Sequence, residues 1–81
     1  MRLDKYLKVS RLIKRRSVAS EACDKGHVSV NGKEAKPAAA LKEGDIIEIR
    51  FGAKRLKARV TTLKEHVLKA EAAEMYEIIE S

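Results

Sequence analysis

Apolar positions near the start of the chain recur with a helical period. Leu3, Tyr6, Leu7 and Ser10 fall at i, i+3, i+4 and i+7, and Asp4, Lys5, Lys8 and Arg11 take the remaining positions. That spacing predicts a short amphipathic helix over residues 2 to 11, with Asp4 and Lys8 as an i,i+4 ion pair on its polar side. Leu12 and Ile13 follow as an apolar connector. Ser17 then precedes Val18, Ala19, Ala22 and Cys23, which reads as an N-cap before a second helical stripe, with Gly26 as its stop. Helices joined by so short a turn should pack as a pair, which would bring Lys5, Lys8 and Arg11 to the side where Arg15 and Arg16 emerge.

After Gly26 the period changes to two. Val28 and Val30 lead into Asn31-Gly32 and then Glu34, Ala35 and Lys36. An Asn-Gly pair between extended segments predicts a type I′ hairpin, because both central residues of that turn need positive φ. Pro37 and the alanines after it form a connection, and residues 42 to 45 a second turn. Ile46, Ile47, Ile49 and Phe51 then mark a strand with Glu48 and Arg50 on its open face. Gly52 to Lys54 is a further turn before Leu56, Ala58 and Val60, which alternate with Lys57 and Arg59. Ala72, Ala73, Met75, Tyr76 and Ile79 return to helical spacing, so a terminal helix is expected over residues 69 to 79, acidic outside and packed back on the sheet. The expected class is α+β: an N-terminal helix pair on a small, mainly antiparallel sheet with a β-hairpin, then a short C-terminal helix. In domain terms, residues 1 to 64 form one unit, and residues 65 to 81 a helical extension packed on it.

Charge changes this picture most. The chain of 81 residues carries a formal net charge of +6, and residues 1 to 16 hold seven Lys or Arg against the single acid Asp4. The rest of the chain holds eleven of each sign. The whole excess therefore lies in the first fifth, and Lys14, Arg15 and Arg16 crowd the positive end of the second helix dipole, where cations are disfavoured. A phosphate from outside, seated among these cations and the free N–H groups of residues 18 to 20, would resolve that conflict. A solvated basic turn is the alternative, at little cost when exposed. Six further cations lie between Arg50 and Lys64 with no acid among them, either a second basic surface or a protected strand edge.

With 44% hydrophobic and 37% charged residues the chain should fold, yet it has no Trp, one Phe and two Tyr. Its core must be aliphatic, and stacking on bases cannot be the main source of nucleic-acid affinity. Cys23 is the only cysteine, so no internal disulfide can form, and no Cys and His residues stand at metal-ligand spacing. His27 and His66 have no nucleophile placed to act with them, and the glycines lack a phosphate-loop spacing. Neither an enzyme nor a cofactor is expected. No segment reaches the ~18 apolar residues of a membrane span, and an interfacial helix would need larger side chains than Leu3, Tyr6, Leu7 and Val9 supply, so a cytoplasmic protein without membrane partners is expected.

Taken in order, RLDKYL, RRS-x-A-x-x-A, G-H-V-x-V-N-G and L-K-E-G-D-I-I resemble the RNA-binding domain named after small-subunit ribosomal protein four. The resemblance runs from residue 2 to about residue 51. It implies that the helix pair and hairpin form the RNA-facing surface, with Arg2, Lys5, Arg15, Arg16 and the hairpin residues around Asn31, Lys33 among them, at family positions; Ser17 is a site candidate from its place at the start of the second helix. Lys8, Arg11 and Lys14 join them by helix geometry and charge. The start MRLDKYLKVSRLIKRR and the A-A-E-M-Y tail are similar to stand-alone bacterial members, kin of the small heat-shock ribosome-binding protein, that serve ribosome-associated quality control. That similarity implies partners: 23S-type rRNA of the large ribosomal subunit, a stranded peptidyl-tRNA, and the tRNA-recruiting elongation factor that adds alanine tails. The chain itself is expected to be a monomer off the ribosome. A general RNA-binding or ribosome-assembly protein of the same fold is the alternative, and a basic module for acidic proteins a more distant one.

Overall fold

In a computed structural model describing residues 1 to 80, the two N-terminal stripes form α1 (Leu3–Val9) and α2 (Arg16–Asp24). Leu3, Tyr6 and Leu7 are fully buried, and Ser10, one turn on, is nearly so. The first helix ends early because Arg11 turns left-handed at φ 65°; its N–H donates to the Lys8 carbonyl and the Ile13 N–H to that of Leu7. Ile13 then drops into the core.

Strands β1 (Val28–Val30) and β2 (Lys33–Glu34) form the hairpin. Asn31 and Gly32 stand at φ 53° and 86°, and Val30 faces Lys33, as a two-residue type I′ turn requires. After it come β3 (Ile46–Phe51), β4 (Lys54–Val60), α3 (Lys69–Ala72), a 3-10 turn (Ala73–Met75) and β5 (Tyr76–Glu80). The sheet order is β2-β1-β3-β4-β5, antiparallel at each junction. Val28, Ile47, Ile49 and Val60 meet Leu3, Tyr6, Leu7, Ala19, Cys23 and Met75 in one core. Ser29, Glu48 and Lys57 line up across the opposite face.

The C-terminal segment departs from expectation. A short helix is present, but it does not run on to Ile79: residues 76 to 80 are extended. Tyr76 pairs with Val60, Glu77 with Arg59 and Ile78 with Ala58. The i, i+3 pair Ala72 and Met75 is buried by one short turn, after which β4 offers an edge of unpaired N–H and C=O groups. Pairing that edge satisfies a row of backbone groups that a further helical turn would have left bare. Tyr6 ties this turn to α1, its hydroxyl donating to the Met75 carbonyl at 2.6 Å.

Candidate nucleic-acid interface

The two helices differ at their positive ends. At α1 every leading N–H is used: Leu3 donates to the Ala39 carbonyl at 2.8 Å, Asp4 to that of Pro37 at 3.1 Å, and Lys5 to the Asp4 carboxylate at 2.8 Å. At α2 the cap is Arg15, in extended conformation, and no side chain closes it. The first helical bond runs from the Ala19 N–H to the Arg15 carbonyl, and among the described residues none accepts from Arg16, Ser17 or Val18. Thus Ser17 is not the N-cap that its residue type suggested. It is the second residue of the helix, exposed, and the open donors belong to residues 16 to 18 rather than 18 to 20. An uncapped helix start flanked by cations is suited to an anion, since the N–H groups and the dipole both favour negative charge.

The expected site residues fall into three groups. Arg2 and Arg16 converge on Asp4, from the residue before α1 and from the first residue of α2. Arg2 donates from Nε and Nη2 to the two carboxylate oxygens, each at 3.2 Å, and Arg16 donates from Nη2 at 3.4 Å. Lys14, Arg15 and Ser17 are exposed beside them. The Lys5 backbone N–H reaches the Asp4 carboxylate, but its side chain is ion-paired with Glu65, which also lines a shallow cleft of about 100 Å³ with Lys8, Val9, Arg11, His66 and Val67. Lys8 and Arg11 are exposed, and among the described residues neither has an ion-pair partner.

Asn31 and Lys33 stay on the hairpin, and neither hydrogen-bonds to the arginine cluster. The Asn31 amide is committed within the fold: it donates to Asp45 at 3.1 Å and accepts the Ile46 N–H at 2.9 Å. Lys33 is exposed at the start of β2.

Asp4 is the residue that sequence reasoning misplaced. It does not pair with Lys8 on an open face; it is buried, with 3% of its surface exposed. At 100° per residue it lies beside Leu7 on the border of the apolar stripe, where a carboxylate needs cations on both sides. The signal was its isolation, one acid among seven bases. Burial raises its pKa, but the hydrogen bonds from Arg2 and Arg16, the Arg16 charge and the Lys5 N–H outweigh it, and the carboxyl is held below its ordinary value. Asp4 is therefore ionised at neutral pH.

Within the later basic stretch the three arginines are ion-paired in the fold, whereas among the described residues Lys54, Lys57 and Lys64 have no ion-pair partner. Arg55 pairs with Glu48 at 3.3 Å and Glu80 at 3.1 Å, Arg59 with Glu77 at 2.5 Å, and Arg50 with Glu34 at 3.8 Å. Among the described residues no helix is long and apolar enough to cross a membrane, and no cluster of His, Cys, Asp or Glu could hold a metal.

A helix pair that opens a positive end among basic residues, packed on a hairpin-led antiparallel sheet, has the build of an RNA-binding S4 domain. The family model described as the S4 domain matches residues 1–47. The "RQC P-site tRNA stabilizing factor" of Listeria monocytogenes is 57% identical over 98% of this chain and 86% of its own length. The protein of the same name from Streptococcus pneumoniae is 58% identical over 98% and 90%. Among solved structures, heat shock protein 15 of Vibrio cholerae, described as trimeric, superposes with a TM-score of 0.90 at 30% identity, over 98% of this chain and 81% of that one. The chain belongs to the S4-domain family and, within it, to the family of RQC P-site tRNA stabilizing factors.

Proposed function

We propose that this chain binds rRNA and tRNA on obstructed large ribosomal subunits carrying a stranded peptidyl-tRNA. Holding that tRNA in place would support C-terminal alanine tailing of the nascent chain by the tRNA-recruiting elongation factor. The role is one of binding and positioning, without catalysis, performed in the cytoplasm by a protein that is monomeric off the ribosome. The observation that carries the reading is the open start of α2. Three helix N–H groups without an acceptor among the described residues stand among Lys14, Arg15 and Arg16, beside the Arg2–Asp4–Arg16 cluster. The name shared by its relatives supplies the tRNA, and the chain's charge supplies the means. Lys8 and Arg11 extend the contact toward the end of α1, and Lys33 offers a flanking contact from the hairpin. With so few aromatic side chains, recognition is of backbone and shape rather than of splayed bases.

The test is Arg16→Ala. Arg16 makes one 3.4 Å bond to Asp4, which keeps Arg2 on both oxygens, so the variant should fold. Its association with large subunits bearing peptidyl-tRNA, measured by co-sedimentation, should fall at least about tenfold. For the unaltered protein, neutralising about six phosphates gives log affinity against log salt a slope of about −4 to −5. Unchanged sedimentation of the variant, or a slope near zero, would refute the reading. Purification with assembly precursors instead of tRNA-bearing large subunits would favour a general ribosome-assembly role.

A further inference from the structure

We propose that Asp4 is a positioning residue of the RNA site, a buried carboxylate that locks Arg2 and Arg16 into one rigid pair of guanidinium forks facing phosphate. The proposal rests on the reading that this face binds RNA and adds what organises it.

The geometry is that of a bracket. Asp4 belongs to α1, Arg2 to the residue before it, and Arg16 to the first residue of α2. The carboxylate touches both arginines as well as the Lys5 N–H. A guanidinium has five N–H donors. Arg2 gives two of them to Asp4 and Arg16 gives one, so most donors on each remain available. The Asp4 side chain is 4% exposed, whereas those of Arg2 and Arg16 are 52% and 48% exposed. The anion is thus inside, and the forks reach outward from it.

Net charge alone argues against an acid here. A carboxylate within hydrogen-bonding distance of phosphate-seeking arginines lowers the local potential and opposes an incoming anion. Its benefit must lie elsewhere. Two flexible arginine side chains lose rotamer freedom on gripping a phosphate, and a partner that orders them beforehand removes that cost from binding. Because the planar fork fits phosphate bidentately in only some orientations, fixing the plane also fixes the register of the RNA backbone on the helix pair.

The two effects have opposite signs, and that makes the proposal testable. Asp4→Asn keeps an oxygen for the Lys5 N–H, keeps the volume, and raises the net charge by one. If Asp4 acted through charge alone, the variant would bind RNA more tightly. As a positioning residue its loss should weaken binding to large subunits bearing peptidyl-tRNA about tenfold and reduce the salt slope by about one. In an Arg2→Ala/Arg16→Ala background the same Asp4→Asn change should bring no further loss, because its effect runs through the two arginines.

Arg16→Lys gives a second test that leaves the buried position intact. It retains charge but not the fork, and it too should lose several-fold in affinity. Thermal unfolding of each variant by circular dichroism checks folding. Equal or tighter binding by folded Asp4→Asn would overturn the proposal, as would an additive loss in the double-variant background or wild-type affinity for Arg16→Lys. Should the unaltered protein show no salt-dependent binding at all, it is the RNA reading that fails, and the two failures are thereby distinguished.

Discussion

Tyr6→Phe removes one oxygen from the largest fully buried side chain among the described residues. Tyr6 has no exposed surface, and its hydroxyl donates to the Met75 carbonyl at 2.6 Å, joining the first helix to the turn before the last strand. The magnitude of the loss depends on what else that carbonyl receives. The Thr61 N–H also donates to it, at 2.9 Å, and the Thr62 N–H lies at 3.4 Å. Deleting the phenol oxygen therefore leaves the acceptor satisfied, and the cost is the net value of one buried hydrogen bond, about 1 kcal/mol, not the larger penalty of an orphaned group. With a urea dependence of about 1 kcal/mol per molar for so small a domain, the unfolding midpoint should fall by about 1 M at an unchanged slope. The melting temperature should fall by about 4–8 °C. Urea titration followed by far-UV circular dichroism measures both. No shift would mean that the hydroxyl makes no such bond, and a loss above about 3 kcal/mol would mean that Thr61 does not cover the carbonyl. Burial, with Tyr76 adding to it, pushes the Tyr6 pKa upward, so the folded state keeps a proton that the unfolded chain releases near about pH 10. This stabilisation is complete below that pH and is lost as pH rises toward the folded value. Tyr6→Phe should accordingly lose less stability than the parent protein above about pH 10.

The Cys23 thiol is pushed up to about 11 by burial first and then by Asp4 and Asp24. At pH 8 it should react with a disulfide reagent at once in urea but only through opening when folded, and rapid labelling of the native protein would refute its place in the core. Asn31→Ala loses the bonds to Asp45 and Ile46 and puts a Cβ-bearing residue without local hydrogen bonds at φ 53°, so it should cost about 1–3 kcal/mol in thermal unfolding. Asn31→Gly should recover the backbone share and retain the hydrogen-bond share; equal losses would show that the φ angle is not the issue.

Much of this fold is legible in the residue pattern because its elements obey local rules. Leu3, Tyr6 and Leu7 mark a helix face, Asn31-Gly32 demands a specific turn, and Ile47 and Ile49 alternate with Glu48. What the pattern hides is decided by partners distant in sequence. The segment YEII supports either period, and only the open edge of β4, sixteen or more residues upstream of its partners, makes it a strand. Ser17 has the chemistry of a cap, but Arg15 adopts the extended backbone at φ −119° and takes that position. Of the site, the basic residues were visible as a count, and the grouping was not. Asp4 meets Arg16 across twelve residues and Lys5 meets Glu65 across sixty. Neither pairing has a periodicity to announce it.

The long-range ion pairs of the sheet bear on the site without touching it. Exposed pairs such as Arg59–Glu77 and Arg55–Glu80 contribute at most about 1 kcal/mol each, so stability is a poor account of their presence. Their effect on the field is larger. By entering the sheet as its fifth strand, residues 76 to 80 set Glu77 opposite Arg59 and Glu80 opposite Lys57, which offsets part of the positive charge of β4. A helix over the same residues would have directed those acids into solvent and left two positive surfaces competing for one polyanion. With β4 partly offset, the excess of +6 over residues 1 to 16 stands as the main concentration of charge. A charged partner is then steered toward one side of the molecule, the side of the proposed RNA face with its uncapped helix and two paired arginines.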